Sequence, residues 1–548
     1  MKRKITIQII LIFVLSCLFI PHLSAQNKTA SANRYMQTST LDVNNIIAPL
    51  NNIGSLMGKM IYWDAGDSTE EERLNPEDLV YDHGLTVVGK IDGSLNLAGI
   101  NWWNSYSPGP IINDQPALQA VPYDSLRYRA YKINRWNSNT KDYREWPADL
   151  GAPMQNNKPL IKGDQAVWMA YNAYDADQFY WWGIKPMPLE IHQYTFGKIG
   201  DSYSMDDFYS NIIFFEWTII NKGTKSIDSA FFSFWTDIDF FQIHYNYPSV
   251  DTVNQVGYCY CIHDDLNDSY YKGVPPALGY VLLYGPKKYA PGKTAVSQGK
   301  IIENYENLDL FAFHAITDDG PDHPSGLTSS GKTMRELWNY ANGLDDSSRI
   351  IIDPVTNEPT KFTFSGDPVR NEGWLYPDRA IGGGAGFRMS AGPVDFAPAD
   401  TQWIMIALVP AQGNNALNSI EVLREKAAKL LSLPYDSLTA PSNYAEDPKH
   451  PIIVINDYKL SQNYPNPFNS MTTIQYDLPF ESFVRIEVFD ILGRSVRVLF
   501  NDNQFPGKHN AVFDAAGLTS GVYIYKIDVT ATGVVNSFTD VKKLILLK

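Results

Sequence analysis

The residues best suited to chemistry in this 548-residue chain are acidic and aromatic, and they come in small groups. Asp237 and Asp239 stand two apart in "FWTDIDFF", and Asp264, Asp265 and Asp268 follow in "HDDLND". If the chain between them folds back, these carboxylates converge on a hard cation, and calcium takes about six to eight oxygens. Neither stretch has the central glycine and distal glutamate of an EF-hand loop, and aspartates at strand ends ordinarily cap turns. Calcium is the one cofactor the sequence offers; otherwise none is expected.

The aromatic groups are Trp102-Trp103 in "INWWNS" and Tyr180-Trp181-Trp182 in "QFYWWG". Neighbours on a strand point to opposite faces, so one indole of each pair can face outward and stack on a sugar ring. Packing in a core or along an edge explains such residues more often. Asp175, Asp177 and Glu190 lie near the second group. A glycosidase needs two such acids about 5–9 Å apart across a cleft, which spacing in sequence does not show. His314 and His323 flank Asp318, Asp319 and Asp322, in what reads as a solvated turn. No HExxH, GxSxG, P-loop or GxGxxG pattern occurs, and "GGGAGF" (382–387) lacks the Lys-Ser/Thr of a phosphate cradle, so it reads as a flexible loop. No catalytic residue is assigned on these grounds.

The elements that must position these residues are mostly strands. Aromatic content is 13%, with 33 tyrosines and many Gly, Pro, Asn and Asp turns. The stretch "NIIFFEWTIINKGTKSIDSAFFSFWTDIDFF" (211–241) reads as a hairpin apolar on both faces, central in a sandwich. A helix is expected over 417–433, capped by Asn418, stopped by Pro434 and striped by Ile420, Leu423, Ala427, Leu430 and Leu431. A second is expected over 332–342. The polar, proline-bearing stretch 435–456 reads as a linker. Beyond it, six or seven short alternating strands suggest an immunoglobulin-like sandwich. The expected class is mainly β: a large β-sandwich-type body over 26–434, of one or two sandwiches with few helices, then a C-terminal immunoglobulin-like β-sandwich over 457–548.

The N-terminus has the form of a secretory signal peptide over 1–25. Lys2, Arg3 and Lys4 precede an apolar run from Ile5 to Ile20, Pro21 breaks it, and Ala25 suits cleavage. The run is shorter than the ~20 residues of a membrane span, so the Sec export machinery is the expected first partner and no transmembrane segment remains in the mature chain. The net charge of −15 argues against nucleic acid and anionic lipid as partners. Beyond the leader only Cys259 and Cys261 remain, two apart in "GYCYC". On a strand they share a face, in poor geometry for a disulfide, and packing as small hydrophobes is expected.

The C-terminal motifs "LSQNYPNPFNSMTTIQYDLP", "VRIEVFDILGRSVRVL", "GLTSGVYIYKIDV" and "KKLILLK" occur in that order. Together they resemble the type A sorting domain of the type IX secretion system, over about 457–548. That resemblance implies an address: delivery from the periplasm to an outer-membrane translocon, with the tail clipped off in many clients. It carries over Gly521, Val522, Tyr523 and the terminal Lys548 as signal residues. The body, through "DGSLNLAGINWWNSYSPGPII", "FSGDPVRNEGW" and "SAGPVDFAPADTQWIMIALVPAQG", resembles large uncharacterised secreted proteins that end in the same domain. This supplies context and no mechanism. The expected function is a secreted or cell-surface protein exported by the type IX route, its body non-catalytic and structural, adhesive or ligand-binding, with a surface glycan as candidate partner. The alternative is a secreted hydrolase acting on polysaccharide.

Overall fold

The computed structural model describes residues 36–547 except 57–59, 64–76, 100–105, 122–125, 176–184, 201–206, 242, 264–270, 272, 318–329, 381–383, 444–457, 480–481, 505–506 and 532–536. The leader 1–25 lies outside the described residues. The described residues are 51% strand and 12% helix, and the chain divides into two compact units, Met1–Ala445 and Glu446–Lys548.

The body is built on two antiparallel sheets that face each other. The larger runs, strand by strand, Tyr131–Asn134, Gln165–Asn172, Leu189–Gly197, Ile213–Asn221, Thr401–Ala411, Ala277–Tyr284, Val256–Tyr260 and Tyr247–Asp251, with Ser107–Pro108 also on Gln165–Asn172. The smaller runs Ala312–Thr317, Ala385–Phe396, Ile227–Ile238, Asp82–Ile91 and Ser94–Ala98. A four-stranded sheet (Thr38–Leu41, Ile46–Asn51, Ile61–Trp63, Glu77–Val80) is fastened to them through Asn44, whose side-chain amide donates to Ile212 O at 2.8 Å. The buried apolar residues of all three sheets join in one continuous core.

The stretch 211–241 is central, as expected, but it is not a hairpin. Ile213–Asn221 pairs with Leu189–Gly197 and Thr401–Ala411, whereas Ile227–Ile238 pairs with Asp82–Ile91 and Ala385–Phe396 in the opposite sheet. The chain arches from one sheet to the other at Asn221. Its side-chain amide donates to Lys225 O (3.0 Å) and to Phe396 O (2.9 Å), and its Oδ1 accepts from the Gly223 N–H. Each partner of the arch is therefore paired along both edges within its own sheet. The alternating aromatics then meet face to face across the sandwich: the Trp217 and Phe234 rings lie 5.7 Å apart.

Helices cover the outside of Ile227–Ile238 and of the strands beside Ile213–Asn221, whose own outer Glu216 meets Lys162 and Tyr435. The helix Ala416–Ser432 buries Ile420, Leu423, Ala427 and Leu430 against the larger sheet, while Leu431 is exposed, contrary to the expected stripe. Its cap is Asn415, which accepts from Asn418 N–H; Asn418 instead donates to Glu421. The helix Ser330–Ala341 covers the smaller sheet, setting Trp338 edge-on to Phe231.

Two readings of loops change. Residues 435–442 are not linker: they form a short helix, Tyr435–Thr439, with Leu438 buried in the core. In "GGGAGF", Ala385, Gly386 and Phe387 lie inside a strand rather than a flexible loop. A Cβ at Gly386 would sit 1.9 Å from Thr236 O, and one at Gly384 2.4 Å from Asp239 Oδ1, so close approach dictates these glycines.

The C-terminal unit is two smaller sheets around a separate core: Lys459–Leu460, Met471–Leu478 and Gly507–Asp514 in one; Ser495–Gln504, Ser482–Phe489, Gly521–Ala531 and Ser537–Leu546 in the other. Alternation in Ser482–Phe489 puts Val484, Ile486 and Val488 inward.

Candidate functional site

In the C-terminal unit the separate motifs are tied to one another. Asn466 donates through its side chain to Lys543 O (3.3 Å) and accepts from Ile545 N–H (2.9 Å). The Phe468 N–H donates to Ile545 O, and Leu547 N–H donates back to Phe468 O. The Tyr525 hydroxyl donates to Ser461 O and accepts from Asn463 N–H. "NYPNPFN", "GVYIYK" and "KKLILL" therefore form one knot, although about 80 residues separate the first from the last. Gly521, Val522 and Tyr523 open a strand paired with Leu546, Ile545 and Leu544. Tyr523 is buried and donates to Thr519 O, Val522 is 40% exposed, and Lys548 lies outside the described residues.

In the body, Asp237 and Asp239 are half-buried and converge beside Gly384. They lie near the buried Cys259, whose thiol burial pushes well up, with both carboxylates adding to the rise. Asp264, Asp265 and Asp268 lie outside the described residues, as do Trp102, Trp103, Trp181, Trp182, Asp177, His323, Asp318, Asp319 and Asp322. Among the described residues no three His, Cys, Asp or Glu side chains group to hold a metal. Cys259 and Cys261 are buried, and neither is in a disulfide.

Asp175 and Glu190 are both described and both engaged in holding the segment 107–119 onto the larger sheet. Asp175 accepts from the Ser107 hydroxyl (3.0 Å) and the Gln119 side-chain amide (2.9 Å). Glu190 accepts from Ile111 N–H (2.8 Å), contacts His192 Nε2 (2.9 Å) and faces Lys222 (3.6 Å). Burial alone would raise the Glu190 carboxyl; His192, the Ile111 N–H and Lys222 outweigh it and hold the group below its ordinary range.

His314 belongs to no solvated turn. It lies in the strand Ala312–Thr317, 2% exposed, directly opposite Arg388, with its ring 4.7 Å from Tyr340 of the covering helix. Neither ring nitrogen has a well-formed hydrogen bond among the described residues. Burial, then the Arg388 guanidinium, pulls its pKa down to about 3, against smaller opposing effects of Asp345 and the Leu344 backbone.

Three further polar clusters escaped the sequence. Glu216, buried on the outer side of the larger sheet, meets Lys162 Nζ at 2.5 Å and accepts from Trp403 Nε1 (3.2 Å) and the Tyr435 hydroxyl (3.1 Å). His83 is buried between the sheets against Phe215, Phe234 and Tyr280, with Nδ1 2.9 Å from the Tyr280 hydroxyl; burial lowers its pKa to about 3. The third cluster reaches the surface: Tyr247, His263 and Asp378, whose polar atoms lie 2.9–3.3 Å from one another. Their separations in sequence are irregular, so no local pattern could have linked them.

Residues 462–545 match the family described as the Secretion system C-terminal sorting domain. The tail is a type IX secretion sorting domain. It marks the protein for export through the outer membrane, to the cell surface or beyond, by way of the type IX translocon. The sorting domain accounts for the C-terminal unit alone, and no curated protein matches the chain. Among solved structures the chain is similar to a polysaccharide lyase at 10% identity and TM-score 0.18, covering 84% of this chain and 46% of that one. It is also similar to the beta-glucuronidase of Parabacteroides merdae (9%, TM-score 0.13, 52% and 30% covered). A third is PorZ, a surface component of the type IX secretion system of Porphyromonas gingivalis (9%, TM-score 0.12, 73% and 46% covered). The chain thus spans less than half the length of each, and likenesses this low carry no argument about the body.

Proposed function

We propose that the protein enters the periplasm through the Sec machinery on a cleaved leader (1–25) and crosses the outer membrane on its immunoglobulin-like sorting domain (457–548). Its body, 26–434 together with the packed segment to 443, then serves outside the cell as a non-catalytic structural, adhesive or glycan-binding protein. One observation supports the non-catalytic reading: Asp175 and Glu190, two of the three acids close in sequence to Tyr180–Trp182, hold the 107–119 segment in place instead of facing a substrate. A calcium ion at Asp237 and Asp239 would need most of its about six to eight oxygens from elsewhere, Asp264, Asp265 and Asp268 being the candidates.

Two measurements test this. Deleting 457–548 in the host should leave the body in the periplasm, while the intact protein reaches the surface or medium; unchanged export of the truncated chain would remove the sorting role. The exported body, incubated with surface polysaccharides of the host's habitat, should bind saturably without new reducing ends, and Trp102→Ala or Trp181→Ala should weaken that binding. New reducing ends without an unsaturated sugar at the other new terminus would instead establish a polysaccharide hydrolase.

A further inference from the structure

The Tyr247, His263 and Asp378 side chains come from three different elements. Tyr247 opens the edge strand Tyr247–Asp251, His263 follows the strand Val256–Tyr260, and Asp378 lies in the loop after the buried Tyr376. Tyr247 Oη lies 2.9 Å from Asp378 Oδ1, His263 Nε2 lies 3.0 Å from the same oxygen, and Oη and Nε2 are 3.3 Å apart. Two donors bonded to one carboxylate oxygen account for two of these distances, and a surface hydrogen-bond cap would need no more. The triangle as a whole has another property. Donor atoms at adjacent corners of an octahedral site with bonds of about 2.1 Å are about 3.0 Å apart. All three edges fall near that value, so one ion off the plane of the triangle reaches all three atoms at bonding distance.

Packing holds two corners of that triangle, Tyr247 and His263, and Asp378 is tied to both by its hydrogen bonds. The Tyr247 ring stacks on Tyr376 (5.7 Å, 18°) and stands edge-on to Tyr260. The His263 ring stands edge-on to Tyr245 at 4.7 Å, and its backbone N–H donates to Cys261 Sγ. Tyr247 is buried, hydroxyl included, while the His263 and Asp378 side chains are 26% and 59% exposed, so an ion enters past those two side chains. A site whose donors are fixed before the ion arrives is spared the cost of ordering them. The donor set is one imidazole nitrogen and two oxygens, which suits first-row transition ions better than calcium, whose sites are all oxygen.

We propose that Tyr247 Oη, His263 Nε2 and Asp378 Oδ1 form a facial three-donor site for a divalent first-row transition-metal ion, open to solvent on its outer side. Binding sends the Tyr247 phenol proton to solvent and shifts the imidazole proton of His263 from Nε2 to Nδ1, so that each donor presents a lone pair to the ion. Three bonds leave coordination positions for water or for an oxygen-bearing ligand.

The test is titration of untagged, metal-stripped protein with copper(II) and zinc(II) at neutral pH, followed by calorimetry and visible absorption. The expected result is one equivalent bound by each metal, with a phenolate-to-copper charge-transfer band. His263→Ala and Asp378→Asn should each weaken binding at least about tenfold, since even outer partners of metal ligands are worth that much. Tyr247→Phe, which keeps the ring and its packing, should abolish the band and leave the near-ultraviolet circular dichroism unchanged. No stoichiometric binding, or binding that all three variants leave intact, overturns the proposal and leaves the cluster as a hydrogen-bonded cap. The outcome is independent of whether the body binds glycans.

Discussion

A body that stops after Pro434 is expected to be far less stable than one that stops after Asn443. Those nine residues include a buried leucine and close a row of polar contacts. Leu438 is 1% exposed, and the Tyr435 hydroxyl donates to Glu216. Lys198 Nζ donates to Ser437 O, Gly163 N–H to Thr439 O, and Ser442 N–H to Asp164 Oδ1. Asp164 in turn holds Arg135 at 2.6 Å. Loss of a buried leucine costs about 2–5 kcal/mol and each hydrogen bond about 1. The cost is thus at least about 5 kcal/mol, comparable to the whole stability of many domains. It also uncovers Lys162 and Glu216, a pair whose burial is tolerable only while both ends are satisfied. Urea unfolding of the two truncations measures the difference. Equal midpoints would mean that 435–443 is a dispensable linker after all. The same contacts imply that any scission freeing the body from its sorting domain without unfolding it falls after Ser442.

The second large effect is acid lability above the pH where carboxylates titrate. His83 and His314 are neutral in the folded protein, each with its pKa lowered to about 3, and ordinary, near 6.5, once unfolded. Below about pH 6.5 the unfolded chain therefore binds two protons that the folded chain does not. Stability is fully present above that pH and falls on acidification at about 1.4 kcal/mol per unit for each histidine. By pH 4.5 the two together remove roughly 5 kcal/mol, and the loss continues until the folded-state values are reached. Of the two, His314 is the better probe, because it lacks a good hydrogen bond to lose. His314→Phe should halve the slope between pH 6 and 4.5 and move the acid midpoint lower, with melting temperature against pH as the readout. A wild-type profile flat across that range would mean that both rings titrate in the folded state as they do in the unfolded chain.

Much of the architecture was legible because its causes are local. Alternation in "FVRIEVFD" and the doubly apolar runs of 211–241 mark strands, since successive side chains of a strand point to opposite faces. Ile420, Leu423, Ala427 and Leu430 mark a helix by the 3.6-residue period, and the sorting motifs could be read in order along the chain. Partner choice was not legible. Ile213–Asn221 and Ile227–Ile238 have the pattern of a hairpin, and only the competition from Leu189–Gly197 and Thr401–Ala411 for both edges of the first sends the second to the other sheet. Asn415 rather than Asn418 caps the helix for a similar reason: two asparagines three residues apart are equivalent until tertiary contacts fix where the first turn begins.

The candidate sites divide along the same line. By itself, the sequence of this protein determined that it is mainly β and that its tail is an export address, because strand periodicity and motif wording are properties of neighbouring residues. The tertiary structure alone decided what the polar residues do. It turned Asp175 and Glu190 into struts, moved His314 from a supposed wet turn into the core, joined Tyr435 to Glu216 across more than two hundred residues, and set Tyr247, His263 and Asp378 at the corners of one triangle. Burial and distance set the charge state and the partners of such groups, and both arise from contacts between strands far apart in the chain.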